Sequence, residues 1–126
     1  MAKKVVYLTF DEGYENGYTS KILDTLMKNN VKALFFVTGP YITKQETLVR
    51  RMLDEGHIVG NHTINHPSLP SLDLDTLENE LYGLEKQFNS TYGKGFKYMR
   101  PPMGEYSERV LEAAKQLGYK TVFWSF

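Results

Sequence analysis

The sequence predicts an α/β fold in which parallel strands alternate with helices. Five short runs rich in β-branched and aromatic residues are separated by stretches with apolar residues at helical spacing. This alternation is typical of parallel strands joined by right-handed crossovers. The last strand run reaches Phe126 with no helix after it, although parallel strands normally need helices on both faces or barrel closure. We therefore expect residues 1–126 to form one domain that is an unfinished (β/α) barrel of five strands, truncated at its C-terminus.

Each predicted strand is an apolar run that stops at a turn signal. The run VVYLTF precedes Asp11, the second run ends at Gly39, and the fourth must end at Pro101 because proline cannot donate to a sheet ladder. Continuous apolar runs are typical of strands buried on both faces. The predicted strands are 5–10, 31–39, 57–62, 95–102 and 120–126. The aromatic residues expected in the core are Phe35, Phe36, Phe123 and Trp124.

The predicted helices lie between these runs and repeat apolar residues every three or four positions. Their apolar stretches are 22–27, 48–53, 74–88 and 110–114. Asp73 or Asp75 is available to cap the longest helix, and Ser107 can cap the last one. Gly56 and Gly118 follow the second and fourth stretches and suit helix C-termini.

The composition excludes several classes of protein. The 15 basic and 15 acidic residues cancel, and the isoelectric point is near 6.8, so no nucleic-acid or anionic membrane partner is expected. The chain has no cysteine, so any metal must be held by histidine and carboxylate groups. The N-terminal apolar run is too short for a signal-peptide core or a membrane span.

Candidate functional residues follow three of the predicted strands. In parallel α/β folds the carboxyl ends of the strands meet at one edge, where active sites are built. These residues should therefore lie close together. They are Asp11 and Glu12 just past the first strand, His62 and His66 at and past the end of the third, and Arg100 near the end of the fourth.

The segment HTINHP places His62 and His66 four residues apart. In a helical turn this spacing puts both imidazoles on one face, where they can grip one divalent ion. Pro67 disfavours a helix at His66, so the segment is at most a turn. By itself, the spacing is equally consistent with two loop histidines that only make hydrogen bonds. A carboxylate at the end of another strand favours the metal site. Two histidines and a carboxylate, with one position left open, form a known catalytic zinc set.

The adjacent Asp11 and Glu12 are open to two interpretations. They are either a solvated turn before Gly13 or a pair that divides two tasks, metal binding and general-base catalysis. Arg100 is either a surface charge or a partner that fixes the orientation of a carboxylate. For His57 we favour a structural role.

The segments TFDEG, HTINHP and RPPMG, in this order and at these intervals, resemble the first three motifs of the polysaccharide deacetylase family. This is the NodB-homology family, or family 4 of the carbohydrate esterases. The resemblance runs from Val5 to Phe126. It implies a distorted (β/α) barrel that removes N-acetyl groups from amino sugars with a divalent metal, commonly zinc.

The resemblance also implies a role for each motif residue. Asp11 resembles the catalytic base, and His62 and His66 resemble the metal-binding histidines. Arg100 resembles the arginine that orients the base. The backbone N–H of Met103 falls where the family stabilises the oxyanion.

Two departures from the family pattern stand out. Glu12 occupies the position of the aspartate that is the third metal ligand, so the resemblance implies Glu12 as a ligand with one extra methylene. The family's two later motifs, including a histidine that acts as general acid, are not found in this sequence. His57 does not match that later histidine.

The segments TFDEGYENGYT, RPPMGEYSE and TVFWSF resemble the sporulation branch of muramic δ-lactam deacetylases. The expected substrate is N-acetylmuramic acid (MurNAc) in peptidoglycan without its stem peptide, in the cell wall or spore cortex outside the cytoplasm, with the leader absent from this chain. The alternatives are a deacetylase of GlcNAc or chitin oligomers and a non-catalytic sugar-binding or scaffold remnant. Self-association through open sheet edges is a further expectation.

Overall fold

A parallel sheet of five strands forms the centre of the molecule. The computed structural model describes residues 6–125. The strands lie in the order β1-β2-β3-β4-β5, and every pairing is parallel. They are β1 (Thr9–Glu12), β2 (Leu34–Val37), β3 (Ile58–Asn61), β4 (Tyr98–Met99) and β5 (Lys120–Thr121). The predicted parallel α/β architecture is therefore confirmed.

In the part of the chain that the structure describes, five α-helices cover the sheet: α1 (Thr19–Lys28), α2 (Gly39–Lys44), α3 (Glu46–Asp54), α4 (Leu74–Tyr92) and α5 (Glu108–Gln116). Two predicted N-caps are confirmed, since Asp73 accepts from the Thr76 N–H at 2.7 Å and Ser107 accepts from the Val110 N–H at 3.2 Å. Helix α4 stops at Gly93, which adopts the left-handed conformation with φ of 68°. Among residues 6–125, no helix is long and apolar enough to cross a membrane.

The observed strands are shorter than the predicted ones, and β1 is shifted along the chain. It begins at Thr9 and ends at Glu12, because its partner β2 pairs only with Thr9–Glu12. Asp11 and Glu12 are thus the last residues of the strand rather than the first residues of a loop. The predicted ends at Val5 and Phe126 lie outside the described residues. Helix α2 was not predicted, because its Gly-Pro start indicates only that a strand has ended.

The sheet carries its largest buried side chains on both faces. Phe35 and Val37 pack with the helices in the main core, and Phe36, on the other face, is also fully buried. Gly60 of β3 makes room for Phe36, because a Cβ atom there would lie 2.6 Å from Phe36 Cε1. The expectation for the two later aromatics was wrong: Phe123 is 41% exposed and Trp124 is 50% exposed.

The sheet curves around its inner face. Strands β1 and β4 have two strands between them, and at about 4.8 Å per strand a flat sheet would separate them by about 14 Å. Arg100, which directly follows β4, nevertheless contacts both Thr9 and Asp11 of β1. The strands therefore wrap around the Arg100 side chain as part of a barrel.

Candidate active site

The carboxyl edge of the sheet brings two pairs of predicted residues together. Asp11 and Arg100 form an ion pair with 2.9 Å between Oδ1 and Nη1. The rings of His62 and His66 lie with their centroids 4.9 Å apart. The predicted convergence of strand ends is therefore observed for these four residues.

Arg100 is held by more than its carboxylate partner. Nη2 donates to Thr9 Oγ1 at 2.9 Å and to the Phe123 carbonyl at 3.3 Å, and Nε donates to the Val122 carbonyl at 3.3 Å. The side chain is only 3% exposed, whereas that of Asp11 is 41% exposed. Because the planar guanidinium has acceptors on several sides, its position is fixed, and it holds one Asp11 oxygen in place while the carboxylate stays open to solvent.

His62 is oriented by the backbone of Arg100. Its Nδ1 lies 2.8 Å from the Arg100 carbonyl oxygen, which can only accept, so Nδ1 carries the hydrogen. Burial lowers the pKa of His62 below its ordinary value, although the Arg100 carbonyl and the Asp11 charge act in the opposite direction. The imidazole is therefore neutral at pH 7 and leaves the Nε2 lone pair for a ligand. Arg100 thus fixes Asp11 with its side chain and His62 with its backbone.

The loop that carries His66 is shaped by side-chain hydrogen bonds rather than by a helix. Asn61 Nδ2 donates to the Leu81 carbonyl at 2.8 Å, and Asn61 Oδ1 accepts from the Thr63 N–H at 2.9 Å. Thr63 Oγ1 then accepts from the His66 N–H at 3.0 Å. Thr63 and His66 both have positive φ, 70° and 57°, so the segment is a sharp turn that brings the exposed His66 back toward His62.

Glu12 faces away from this group. Strand side chains alternate, so Glu12 points to the side opposite Asp11. In the sheet Glu12 is in register with Val37, which in turn is in register with Asn61; Val37 packs in the helix-covered core, and the Asn61 side chain bonds to helix α4. Both Glu12 carboxylate oxygens accept from Thr19 Oγ1 at 3.3 Å.

The surroundings of Glu12 disfavour its charge. Burial raises the pKa of Glu12 to about 7, with a smaller contribution from the nearby Glu15 carboxylate. Glu15 is in turn bound by the Tyr41 hydroxyl, which donates to its Oε1 at 3.1 Å. Glu12 therefore belongs to a polar cluster between β1 and helices α1 and α2.

The histidines fit a divalent metal, whereas the full predicted ligand set is not assembled. His62 offers a neutral, oriented imidazole, and His66 lies beside it. Glu12 is committed to Thr19, and within residues 6–125 no three histidine, cysteine, aspartate or glutamate side chains are grouped to hold a metal. The role of Glu12 as a ligand stays a prediction.

Met103 lies in a short 3₁₀ turn, Pro102–Gly104, just beyond Arg100. Its φ is 59°, and its side chain is 56% exposed. The role of its N–H group also stays a prediction.

Sequence reasoning missed three residues whose side chains contact Arg100. Thr9 lies two positions before Asp11, so strand alternation puts both on one face, and that signal was available. The ring centroids of Phe36 and Trp124 lie 4.5 and 5.5 Å from the guanidinium carbon. Nothing in the local sequence indicates these two contacts.

An oriented carboxylate beside a pair of histidines, at the carboxyl edge of a curved parallel sheet, defines a barrel-type α/β protein with a site suited to hydrolysis. A family profile described as "Polysaccharide deacetylase" matches residues 1–122. The chain belongs to the polysaccharide deacetylase family, which confirms the resemblance of its three motifs.

Curated relatives and solved structures agree with this assignment. The chain is 50% identical over 124 residues to the peptidoglycan-N-acetylmuramic acid deacetylase PdaA of Bacillus subtilis, covering 98% of this chain and 47% of PdaA. It is 41% identical over 123 residues to a peptidoglycan-N-acetylglucosamine deacetylase of Bacillus cereus, covering 98% and 45%. The solved structure of a family 4 carbohydrate esterase from Bacillus anthracis matches with a TM-score of 0.91 and 51% identity, covering 94% of this chain and 58% of that one.

The chain spans about half the length of the curated relatives that it matches. The match to family 4 structures confirms the predicted fold class, the five-stranded part of a (β/α) barrel.

Proposed function

We propose that this chain carries the base and the histidine pair of a metal-dependent peptidoglycan N-deacetylase. The observation that carries the proposal is that Arg100 makes two hydrogen bonds in the site. Its side chain donates to the Asp11 carboxylate, and its carbonyl accepts from the His62 ring. A general base must be oriented and reachable, and Asp11 is both, since one oxygen is fixed and the side chain is 41% exposed.

The proposed reaction is hydrolysis of the N-acetyl amide. Asp11 takes a proton from the attacking water, whose oxygen bonds to the acetyl carbon. The C–N bond then breaks as the nitrogen takes up the proton that Asp11 removed from the water, which gives the free amine of the sugar and acetic acid, and the acid loses its remaining proton to solvent as acetate. Arg100 keeps Asp11 directed at the water throughout, and the Met103 N–H is the proposed donor to the oxyanion.

His62 and His66 are the proposed metal ligands. A divalent ion, which we propose is zinc, would supply Lewis-acid polarisation of the acetyl carbonyl when bound there. For Glu12, the third predicted ligand, the bonds from Thr19 favour a role in the cluster behind β1 over metal binding.

The proposed substrate is MurNAc in peptidoglycan that lacks its stem peptide, on the route to muramic δ-lactam in the spore cortex. Its support is that the relative named for N-acetylmuramic acid is 50% identical, against 41% for the relative named for N-acetylglucosamine. The proposed site of action is accordingly outside the cytoplasm, in the cell wall.

One observation favours a second function, that of a non-catalytic sugar-binding member of the family. Glu12 stands apart from the histidines, so the chain offers two grouped metal ligands rather than three. A protein of this kind would bind glycans without releasing acetate.

Mass spectrometry on defined glycans separates these functions. Stem-free MurNAc oligomers and GlcNAc oligomers are incubated with the protein, with zinc added or with a chelator. With zinc added, we expect the MurNAc oligomers to lose one acetyl group per modified sugar. With the chelator, we expect no loss. Acetate loss from GlcNAc oligomers alone would overturn the substrate assignment, and glycan binding with no acetate loss would favour the second function.

Self-association is a separate proposal. Strands β1 and β5 lie at the two edges of the sheet, and Val6 and Tyr7, just before β1, are 75% and 84% exposed. Unpaired parallel edges of this kind can join copies of a chain. Sedimentation velocity over a range of concentrations tests it, and a single monomer species throughout would contradict it.

A further inference from the structure

Trp124 is the sole tryptophan of the chain, and the proposed reaction gives it no role. Its ring centroid lies 5.5 Å from the guanidinium carbon of Arg100, within cation–π distance, and its side chain is half exposed. It lies just beyond β5, so it reaches the site from the sheet edge opposite β1.

The segment that ends in Trp124 makes three contacts with Arg100. The carbonyls of Val122 and Phe123 accept from the guanidinium at 3.3 Å, and the indole lies against it. Asp11 accepts from Nη1 only. The other two guanidinium nitrogens, Nε and Nη2, are therefore held by this segment and by Thr9.

Gly104 provides the space that the indole occupies. A Cβ atom at this position would lie 2.8 Å from Trp124 Cη2, and the φ of Gly104 is 68°, which disfavours other residues. The packing of Trp124 beside Arg100 therefore requires a glycine at the last position of the RPPMG segment.

We infer that Trp124 is a positioning residue that acts on the base Asp11 through Arg100. The inference rests on the proposed function, because it assigns Asp11 as the base. The indole covers one part of the guanidinium and keeps water from competing for its donors, so Arg100 keeps the geometry that directs Asp11. Phe36 covers another part, with its centroid 4.5 Å from the guanidinium carbon.

Kinetics with three variants test the effect on catalysis. We expect Trp124→Ala to lower kcat about tenfold with KM within about twofold, because a misdirected base slows chemistry more than binding. Trp124→Phe, which keeps an aromatic face, should recover most of the loss. Tyr82→Ala is the matched control, since Tyr82 is 49% exposed and has Lys86 at 5.4 Å, and it should retain wild-type kcat.

Tryptophan fluorescence tests the contact without any activity. Because Trp124 is the sole tryptophan, its emission reports on Arg100 directly. We expect Arg100→Met to shift the emission maximum and to change acrylamide quenching, whereas Lys86→Met leaves both unchanged. Urea unfolding of each variant establishes that it is folded.

The outcomes separate the inference from the proposed function. Unchanged emission in folded Arg100→Met would overturn the inference, and so would a rise in KM at constant kcat in Trp124→Ala, which would indicate direct sugar contact. If the wild-type protein releases no acetate from any glycan, the proposed function fails. The fluorescence result still decides whether the contact between Trp124 and Arg100, on which the inference rests, is present.

Discussion

Arg100 Nη1 donates a 2.9 Å hydrogen bond to Asp11 Oδ1, although the two residues are 89 positions apart. Asp11 lies near the end of β1 and Arg100 directly follows β4, and two other strands lie between these two. The bond spans the concave side of the sheet, so it forms only if the strands curve. The same residue accepts from His62 through its carbonyl. The geometry of the site therefore depends on the curvature of the sheet.

The first prediction concerns the shape of the arginine. Arg100→Lys keeps the charge but loses the fork that reaches Asp11, Thr9 and two carbonyls at once. We expect kcat/KM for acetate release to fall about 10²-fold, because a small misplacement of the base is costly. Arg50→Lys, at an exposed pair with Glu46, is the control. Equal activity of the two variants would contradict a geometric role for Arg100.

The second prediction concerns the base. Asp11→Asn keeps the size of the side chain but removes its ability to take a proton. We expect acetate release to fall about 10²- to 10⁴-fold while zinc content is unchanged, measured by mass spectrometry of glycans and by elemental analysis. Asp24→Asn, at a surface pair with Arg51, should behave as wild type. Retained activity in Asp11→Asn would remove this residue from the role of base.

The sequence predicts the topology and the polar edge because both depend on local patterns. Alternating strand and helix periodicity, the caps Asp73 and Ser107, and the position of polar residues after strands are all readable along the chain. The direction of Glu12 was not predicted, although strand alternation implies that it opposes Asp11. The apolar run predicts a strand that ends at Phe10 and therefore puts both carboxylates in a loop, whereas β1 extends to Glu12.

Other features depend on contacts between distant segments. Trp124 follows an apolar run and was predicted to be buried, yet β5 has only two residues, Lys120–Thr121, and the chain then turns along Arg100. The pattern of apolar residues in this run does not indicate that Trp124 packs against Arg100. Helix α2 likewise has too few residues for an apolar repeat to emerge.

The third prediction concerns the metal ligands. We expect His62→Ala to abolish zinc binding, since it removes the imidazole that is oriented by the Arg100 carbonyl. Glu12→Gln should keep the zinc stoichiometry, because the Glu12 carboxylate is bonded to Thr19. Titration calorimetry and elemental analysis measure both. Unchanged stoichiometry in His62→Ala would exclude this site, and loss in Glu12→Gln would establish Glu12 as the third ligand.

The fourth prediction concerns the packing beneath Arg100. Gly60→Ala would place a Cβ atom 2.6 Å from Phe36 Cε1 and 3.2 Å from the Tyr98 carbonyl. We expect the free energy of unfolding to fall by about 1–3 kcal/mol, because Phe36 is fully buried and has no room to yield. Gly13→Ala is the matched control, since nothing lies within 4 Å of its Cβ position. Urea denaturation of both variants measures the difference, and equal midpoints would contradict the packing argument.

The fifth prediction concerns His57 and the pH dependence of stability. His57 is 5% exposed, and its Nδ1 accepts from the Ala33 N–H at 3.0 Å, an interaction that only the neutral ring makes. Burial lowers the pKa of His57, with the Lys32 charge adding to the effect. The ordinary histidine pKa in the unfolded chain is about 6.5. As the pH falls below this value, His57 therefore binds a proton in the unfolded chain while it is still neutral in the folded chain. Stability from this group is complete above that pH and is lost as the pH falls below it.

Comparison with His57→Gln isolates this contribution. In both proteins the raised pKa of Glu12, about 7, adds the opposite slope, so the difference between the two curves reports His57 alone. We expect the wild-type free energy of unfolding to decline relative to that of the variant between about pH 7 and pH 5, measured by urea denaturation at each pH. Parallel curves would show that His57 has the same pKa in the folded and unfolded chains. A relative decline would show that the folded chain keeps His57 neutral, which is the form that accepts the hydrogen bond from the Ala33 N–H.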